Sequence, residues 1–213
     1  MRSIHLAVVF AVAALTCSST VVQAQSPPAG TDRVEEDWKL VIADPDPAGS
    51  GPQITTCMFP DDGKSSQFVA FNLNYRANPS FATGGVQIQT WDDGVEADSS
   101  SQGSAQCNTA NEQITWTQRM SLSQGAMTYS IENGVSTTWG KFGQGNGLLN
   151  VNVNSLANSF DSYNPATSAA RSGVGWQKNR VSQLTLLQVR YYSGGNLVST
   201  DSQPRPVVDS ASN

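Results

Sequence analysis

Residues 114–135 read ITWTQRMSLSQGAMTYSIENGV, and their alternation decides the fold. Ile114, Trp116, Met120 and Leu122 fall on one face of an extended chain, and Thr115, Thr117, Arg119 and Ser121 on the other. Met127, Tyr129 and Ile131 alternate in the same way with Thr128, Ser130 and Glu132. Side chains of a strand point to opposite faces in turn, so this pattern describes half-buried antiparallel strands. Asn133-Gly134, flanked by Glu132 and Val135, predicts a two-residue hairpin turn between two such runs.

The same period extends outward. Val69, Phe71, Leu73 and Tyr75 alternate with small or polar residues, and Leu149, Val151 and Val153 alternate with Asn150, Asn152 and Asn154. Further strands are expected over 37–43, 53–59, 85–91, 135–140 and 180–192. In the last of these, Leu184 and Leu186 share one parity while Leu187, Val189 and Tyr191 share the other. That predicts either a bulge or a strand covered on both faces. Residues 155–172 would hold a short helix or a long loop. About ten strands in one domain predict an all-β, two-sheet antiparallel sandwich of the jelly-roll or concanavalin A-like type.

At the N-terminus, Arg2, an apolar run from Ile4 to Leu15 and the small-residue site Val22-Gln23-Ala24 read as a secretory signal peptide over residues 1–24. The run is too short to span a bilayer, so no transmembrane segment is expected in the mature chain. A retained anchor is the alternative, and Thr16 before Cys17 makes a poor lipoprotein site. The expected location is therefore the periplasm or the extracellular medium. Residues 25–33 read as a flexible lead, 34–198 as the sandwich domain, and 199–213, with Pro204 and Pro206, as a flexible tail.

Composition excludes several chemistries. The one His, His5, lies in the signal segment, which removes imidazole catalysis and His-ligated zinc from the mature chain. Lys and Arg number 12 against 17 Asp and Glu, a net charge of −5, which argues against nucleic-acid binding. With Cys17 in the signal, Cys57 and Cys107 form an even pair in an oxidising compartment and predict one disulfide. No cofactor is called for. Acidic loops at Asp44–Asp46, Asp61-Asp62 and Asp92-Asp93 with Glu96 and Asp98 leave a structural calcium as the alternative, without EF-hand spacing.

Four polar rows are the candidate functional feature. Gln87 and Gln89 share parity with Trp91; Thr115, Thr117 and Arg119 form a second row; Thr128, Ser130 and Glu132 a third; Asn150, Asn152 and Asn154 a fourth. Side by side they would make one trough in which Gln87, Gln89, Arg119, Glu132, Asn150 and Asn152 hydrogen-bond sugar hydroxyls while Trp91 stacks on a ring. The plain alternative is the solvated face of an antiparallel sheet.

The segments EEDWKLVIADPDP (35–47), PQITTCMFP (52–60), STTWGKFG (136–143) and NRVSQLTLLQVRYY (179–192) resemble exported bacterial proteins that bring no assigned activity. The strand pattern is similar to the concanavalin-like and jelly-roll superfamily, whose members include lectins, carbohydrate-binding modules, glycosidases and lyases. The Glu-x-Asp-x-x-Glu signature of its sandwich glycosidases is not present. Such a resemblance is an analogy of fold.

The expected function is non-catalytic binding of an extracellular polysaccharide or envelope component. One alternative is a structural or envelope-surface protein that contacts other proteins. The other is a glycosidase or lyase working through Glu132, with Glu112 as a further carboxylate, or through Arg119 with Tyr192 or Tyr163.

Overall fold

In the computed structural model, which describes residues 26–45, 52–74, 85–102, 109–138, 140–143, 149–155 and 157–209, the alternating stretches pair as antiparallel strands. In chain order these are β1 (Arg33–Ile42), β2 (Gln53–Met58), β3 (Phe68–Leu73), β4 (Val86–Asp92), β5 (Val95–Gln102), β6 (Glu112–Ser123) and β7 (Ala126–Ser136). They continue with β8 (Gly140–Phe142), β9 (Asn150–Asn154), the helix α1 (Pro165–Arg171), β10 (Gly173–Trp176), β11 (Val181–Ser193), β12 (Asn196–Asp201) and β13 (Arg205–Asp209). An eight-stranded sheet runs β12-β11-β1-β6-β7-β8, with β13 also on β11 and β9 also on β7; a five-stranded sheet runs β10-β2-β3-β4-β5. The architecture is an all-β, two-sheet antiparallel sandwich. The signal segment and the cleavage site at Ala24 lie outside the described residues.

The apolar parity of each sheet faces the other. Trp38 and Trp116 stack with centroids 6.2 Å apart, Phe71 from the small sheet meets Trp116 at 5.4 Å, and Phe142 closes on Phe71 at 6.3 Å. Each fully buried side chain of this size contributes about 1.5–3 kcal/mol of transfer free energy, so the interior strands carry most of the fold's stability.

Three expectations are corrected. The Asn133-Gly134 pair is not a hairpin turn: β7 runs through it, and the register steps from Thr115↔Val135 to Thr117↔Glu132, leaving an extra residue on β7. Asn133 has φ 53° there, as a bulge residue. The β6–β7 turn is Gln124-Gly125, where both residues have positive φ, 50° and 80°, as a type I′ turn requires. The expected tail is ordered to Asp209, with β12 and β13 both paired to β11. Pro206 fits because β13 is an outer strand that needs no donor on its far side.

The third concerns the expected disulfide. Cys57 is a free, buried thiol on β2, opposite Ala70, and burial pushes its pKa up to about 12. Cys107, its expected partner, lies outside the described residues.

In β11 the bulge is the reading that holds. Asp37 pairs with Gln188 and Trp38 with Leu186, so Leu187 is the extra residue and Leu184, Leu186, Val189 and Tyr191 all reach the core. Helix α1, capped by Asn164 Oδ1 accepting from the Ala166 amide at 2.9 Å, packs on β2, β13 and β11 and closes one side of the sandwich.

Candidate functional site

Three of the four polar rows come together. Arg119 lies opposite Ser130 and Thr117 opposite Glu132 on β6 and β7, and Ser130 and Thr128 lie opposite Asn150 and Asn152 on β9. They occupy the outer face of the large sheet, which β1 and β11 continue with Glu35, Asp37, Gln188 and Arg190. The charges on this face are paired with one another. Arg119 binds Glu132 at 2.8 Å, where Ser130 also donates at 3.1 Å. Arg190 bridges Glu35 at 3.2 Å and Asp37 at 2.9 Å, and Gln188 and Thr117 donate to Asp37 at 2.7 and 2.8 Å. Burial works against the Asp37 carboxylate, yet the hydrogen bonds from Arg190, Gln188 and Thr117 outweigh it and hold its pKa below the ordinary value.

The first row lies elsewhere. Gln87, Gln89 and Trp91 sit on the outer face of the small sheet, on the opposite flank of the sandwich, so the single trough expected from the sequence does not form. Gln87 and Gln89 are buried at 2% and 3% exposure. Gln89 belongs to a chain of hydrogen bonds across four strands: Thr55 donates to Asn72 at 2.7 Å, Asn72 to Gln89 at 2.8 Å, and Gln89 to Glu96 at 2.7 Å. Period two shows which residues share a face of one strand, but not in which sheet that strand lies.

Trp91 and Asn152 nevertheless line one cleft. At the seam where β4 and β5 approach β7 and β9, both residues line an open cleft of ≈ 470 Å³ with Asp92, Asn154 and Gln67. The sheets are joined along this seam by the Leu149 amide donating to Ser100 Oγ at 2.9 Å. Gln67 Nε2 crosses from the small sheet to the large, donating to Asp92 Oδ2 and to the Asn154 carbonyl, each at 3.1 Å. Between Thr90↔Asp98 and Trp91↔Glu96 the β5 register gains Ala97, and this bulge residue also lines the cleft.

An aromatic row backs the indole. Phe59 and Phe68 stack at 5.3 Å, and Phe68 and Trp91 at 6.2 Å with planes 9° apart. Rings and amides converging on an open, preformed concavity are the usual elements of a small-ligand site.

The candidates for catalysis are dispersed. Tyr163 is buried and donates to Glu36, Tyr192 donates to Glu35 at 2.8 Å, and Glu112 lies in the core accepting from Ser136 at 2.5 Å. Among the described residues no group of three or more His, Cys, Asp or Glu gathers as a metal site, and no helix is long and apolar enough to cross a membrane.

Glu36 and Gln118 are polar groups that the sequence pattern did not single out. They face each other across β1 and β6 inside the core, on the parity of Trp38 and Trp116. The missing apolar residue at 118, between Trp116 and Met120, was the available signal.

No protein-family model matches the chain, and no curated protein matches it. A solved structure to which it is similar is a scytalido-glutamic peptidase with a transition-state analogue inhibitor, 12% identical over 85% of this chain and 88% of that chain, with a TM-score of 0.36. A likeness at that level assigns no activity.

Proposed function

We propose that the protein is an exported, non-catalytic binder of an extracellular polysaccharide, and that a sugar ring enters the cleft at Trp91. One observation carries this reading: Trp91, stacked on Phe68, lines an open cleft together with Gln67, Asp92, Asn152 and Asn154. An aromatic plane takes the apolar side of a pyranose, while planar amides and a carboxylate bond its hydroxyls. Asp92 is the only carboxylate among the described lining residues, whereas glycoside hydrolysis takes two flanking the scissile bond. The buried Gln87 and Gln89 act in this reading as support beneath the site, and Arg119, Glu132 and Asn150 lie outside it.

Affinity electrophoresis over a polysaccharide panel tests the reading. At least one polysaccharide should retard the native protein, and Trp91→Ala should migrate freely on it. Equal retardation of the variant would exclude this cleft. A second reading, a surface protein contacting other chains through a sheet edge, draws on Leu197 and Val198, exposed at 54% and 45% on β12. Concentration-dependent sedimentation of the pure protein would favour it.

A further inference from the structure

The carboxylates around the cleft differ from those on the large sheet. On that sheet's outer face, Glu35, Asp37 and Glu132 each have an arginine partner. Among the described residues Asp92 accepts from neutral donors, Ser66 Oγ at 2.8 Å and Gln67 Nε2 at 3.1 Å. Glu96, paired across the strands with Trp91, accepts from Gln89 at 2.7 Å. Asp98 accepts from the Ser99 amide at 2.9 Å and the Asn152 amide at 3.4 Å. Asp92 thus lines the cleft beside the indole, with Glu96 and Asp98 on the adjoining strand β5, and none of the three forms an ion pair among the described residues. No Lys or Arg is among the described lining residues.

From this we infer that the ligand is a glycan bearing free, protonated amino groups, a hexosamine polymer, and not a neutral or uronic-acid one. The inference rests on the saccharide reading of the Trp91 cleft and narrows it. A sugar ammonium supplies three donors and a positive charge, which match the open acceptor positions of Asp92 and the negative face of the indole. A uronate would set its carboxylate against Asp92 with no lysine or arginine among the described lining residues to separate them, at a Coulombic cost. An N-acetylated sugar could stack on the ring but would lose the charge attraction.

The test is titration calorimetry of the full chain in mildly acidic, low-salt buffer, where the sugar amine is protonated. The probes are a glucosamine oligosaccharide, its N-acetylated counterpart and a galacturonate oligomer. The glucosamine oligomer should bind about five-fold or more tightly than the N-acetylated one, the size of a partly exposed charge pair. The preference should shrink with added salt, and galacturonate should not bind. Asp92→Asn should remove the preference. Asp44→Asn, which deletes the same charge from an exposed side chain beside Arg180, should keep it. Equal or tighter binding of the N-acetylated oligomer overturns the inference and leaves the saccharide reading in place. Undiminished binding of the glucosamine oligomer to Trp91→Ala also overturns it, by placing the charge attraction elsewhere. Binding of none of the three removes this inference, and the electrophoresis panel then decides the broader reading separately.

Discussion

Tyr163 donates its phenolic hydrogen to Glu36 inside the sandwich, tying the segment ahead of α1 to an interior strand of the large sheet. Trp38 Nε1 donates to the other carboxyl oxygen at 2.9 Å, and Ser168 on α1 lies 3.3 Å from the Tyr163 hydroxyl. Arg205 on β13 acts on the carboxyl by charge, and the nearby Cys57 and Tyr191 feel its charge in turn. Removal from water dominates these partners and pushes the Glu36 pKa from 4.5 to about 7.

A carboxyl raised in the folded state binds its proton more tightly there than in the unfolded chain, so its contribution is greatest below pH 4.5 and is lost as pH rises through about 7. A shift of this size corresponds to about 3 kcal/mol between those limits. Asp37 has the opposite sign: its stabilisation is present above its ordinary value of 3.8 and is lost as pH falls below it. Denaturant melts across this range should therefore show greatest stability in mild acid and a decline toward neutrality. Glu36→Gln should flatten the decline. A native protein equally stable at both ends would contradict the assignment.

The bulge on β7 gives a steric prediction. A Cβ on Gly134 would lie 2.5 Å from the Phe142 ring and 2.6 Å from its carbonyl oxygen. On Gly143, at φ 65°, it would lie 2.5 Å from the Ile131 carbonyl. Gly94 is also left-handed, at φ 76°, but has open space around it. Thermal melts should show a loss of about 1 kcal/mol for Gly94→Ala and about 2 kcal/mol or more for Gly134→Ala or Gly143→Ala. Equal losses for Gly94→Ala and Gly143→Ala would mean that backbone strain, not close contact, sets the cost at these left-handed positions.

Burial also governs the Cys57 thiol. With its pKa up to about 12, the thiolate is scarce at neutral pH and the side chain is enclosed. Iodoacetamide should leave Cys57 unmodified in the native protein and label it promptly in denaturant without a reductant. Peptide mapping that finds Cys57 in a disulfide would overturn the free-thiol assignment.

What the sequence reveals and what it conceals separate along physical lines. Alternation follows from the pleat, so Arg119, Glu132 and Asn152 could each be placed on the polar face of its own strand from residue order, while the adjacency of those strands came from the pairing. That Trp91 and Asn152 line one cleft could not be read, because it depends on how two sheets close at an edge through contacts such as Leu149 to Ser100. Both Gln124-Gly125 and Asn133-Gly134 look like turns. Only the first places both residues at positive φ, while Gly134 is held in the strand against Phe142. The prolines and serines of 199–213 suggested a tail because they offer little to bury, but β13 pairs with β11 through Pro206, a loss of donor that an outer strand tolerates.

The paired charges of the large sheet give a last prediction. Arg190 is the hub that neutralises both Glu35 and Asp37, with its own side chain 20% exposed and Asp37 at 21%. Replacing it with methionine keeps much of the stem's packing but leaves the half-buried Asp37 without its cation, while Glu35 keeps Arg33 at 3.4 Å. The loss should be about 2 kcal/mol near neutral pH. It should also shrink in acid, where Asp37, no longer held low by the guanidinium, takes up a proton more readily. Arg190→Met should not alter polysaccharide retardation, because Arg190 is not among the described residues lining the Trp91 cleft. A variant that keeps full stability but loses ligand would move the binding site to the large sheet's outer face.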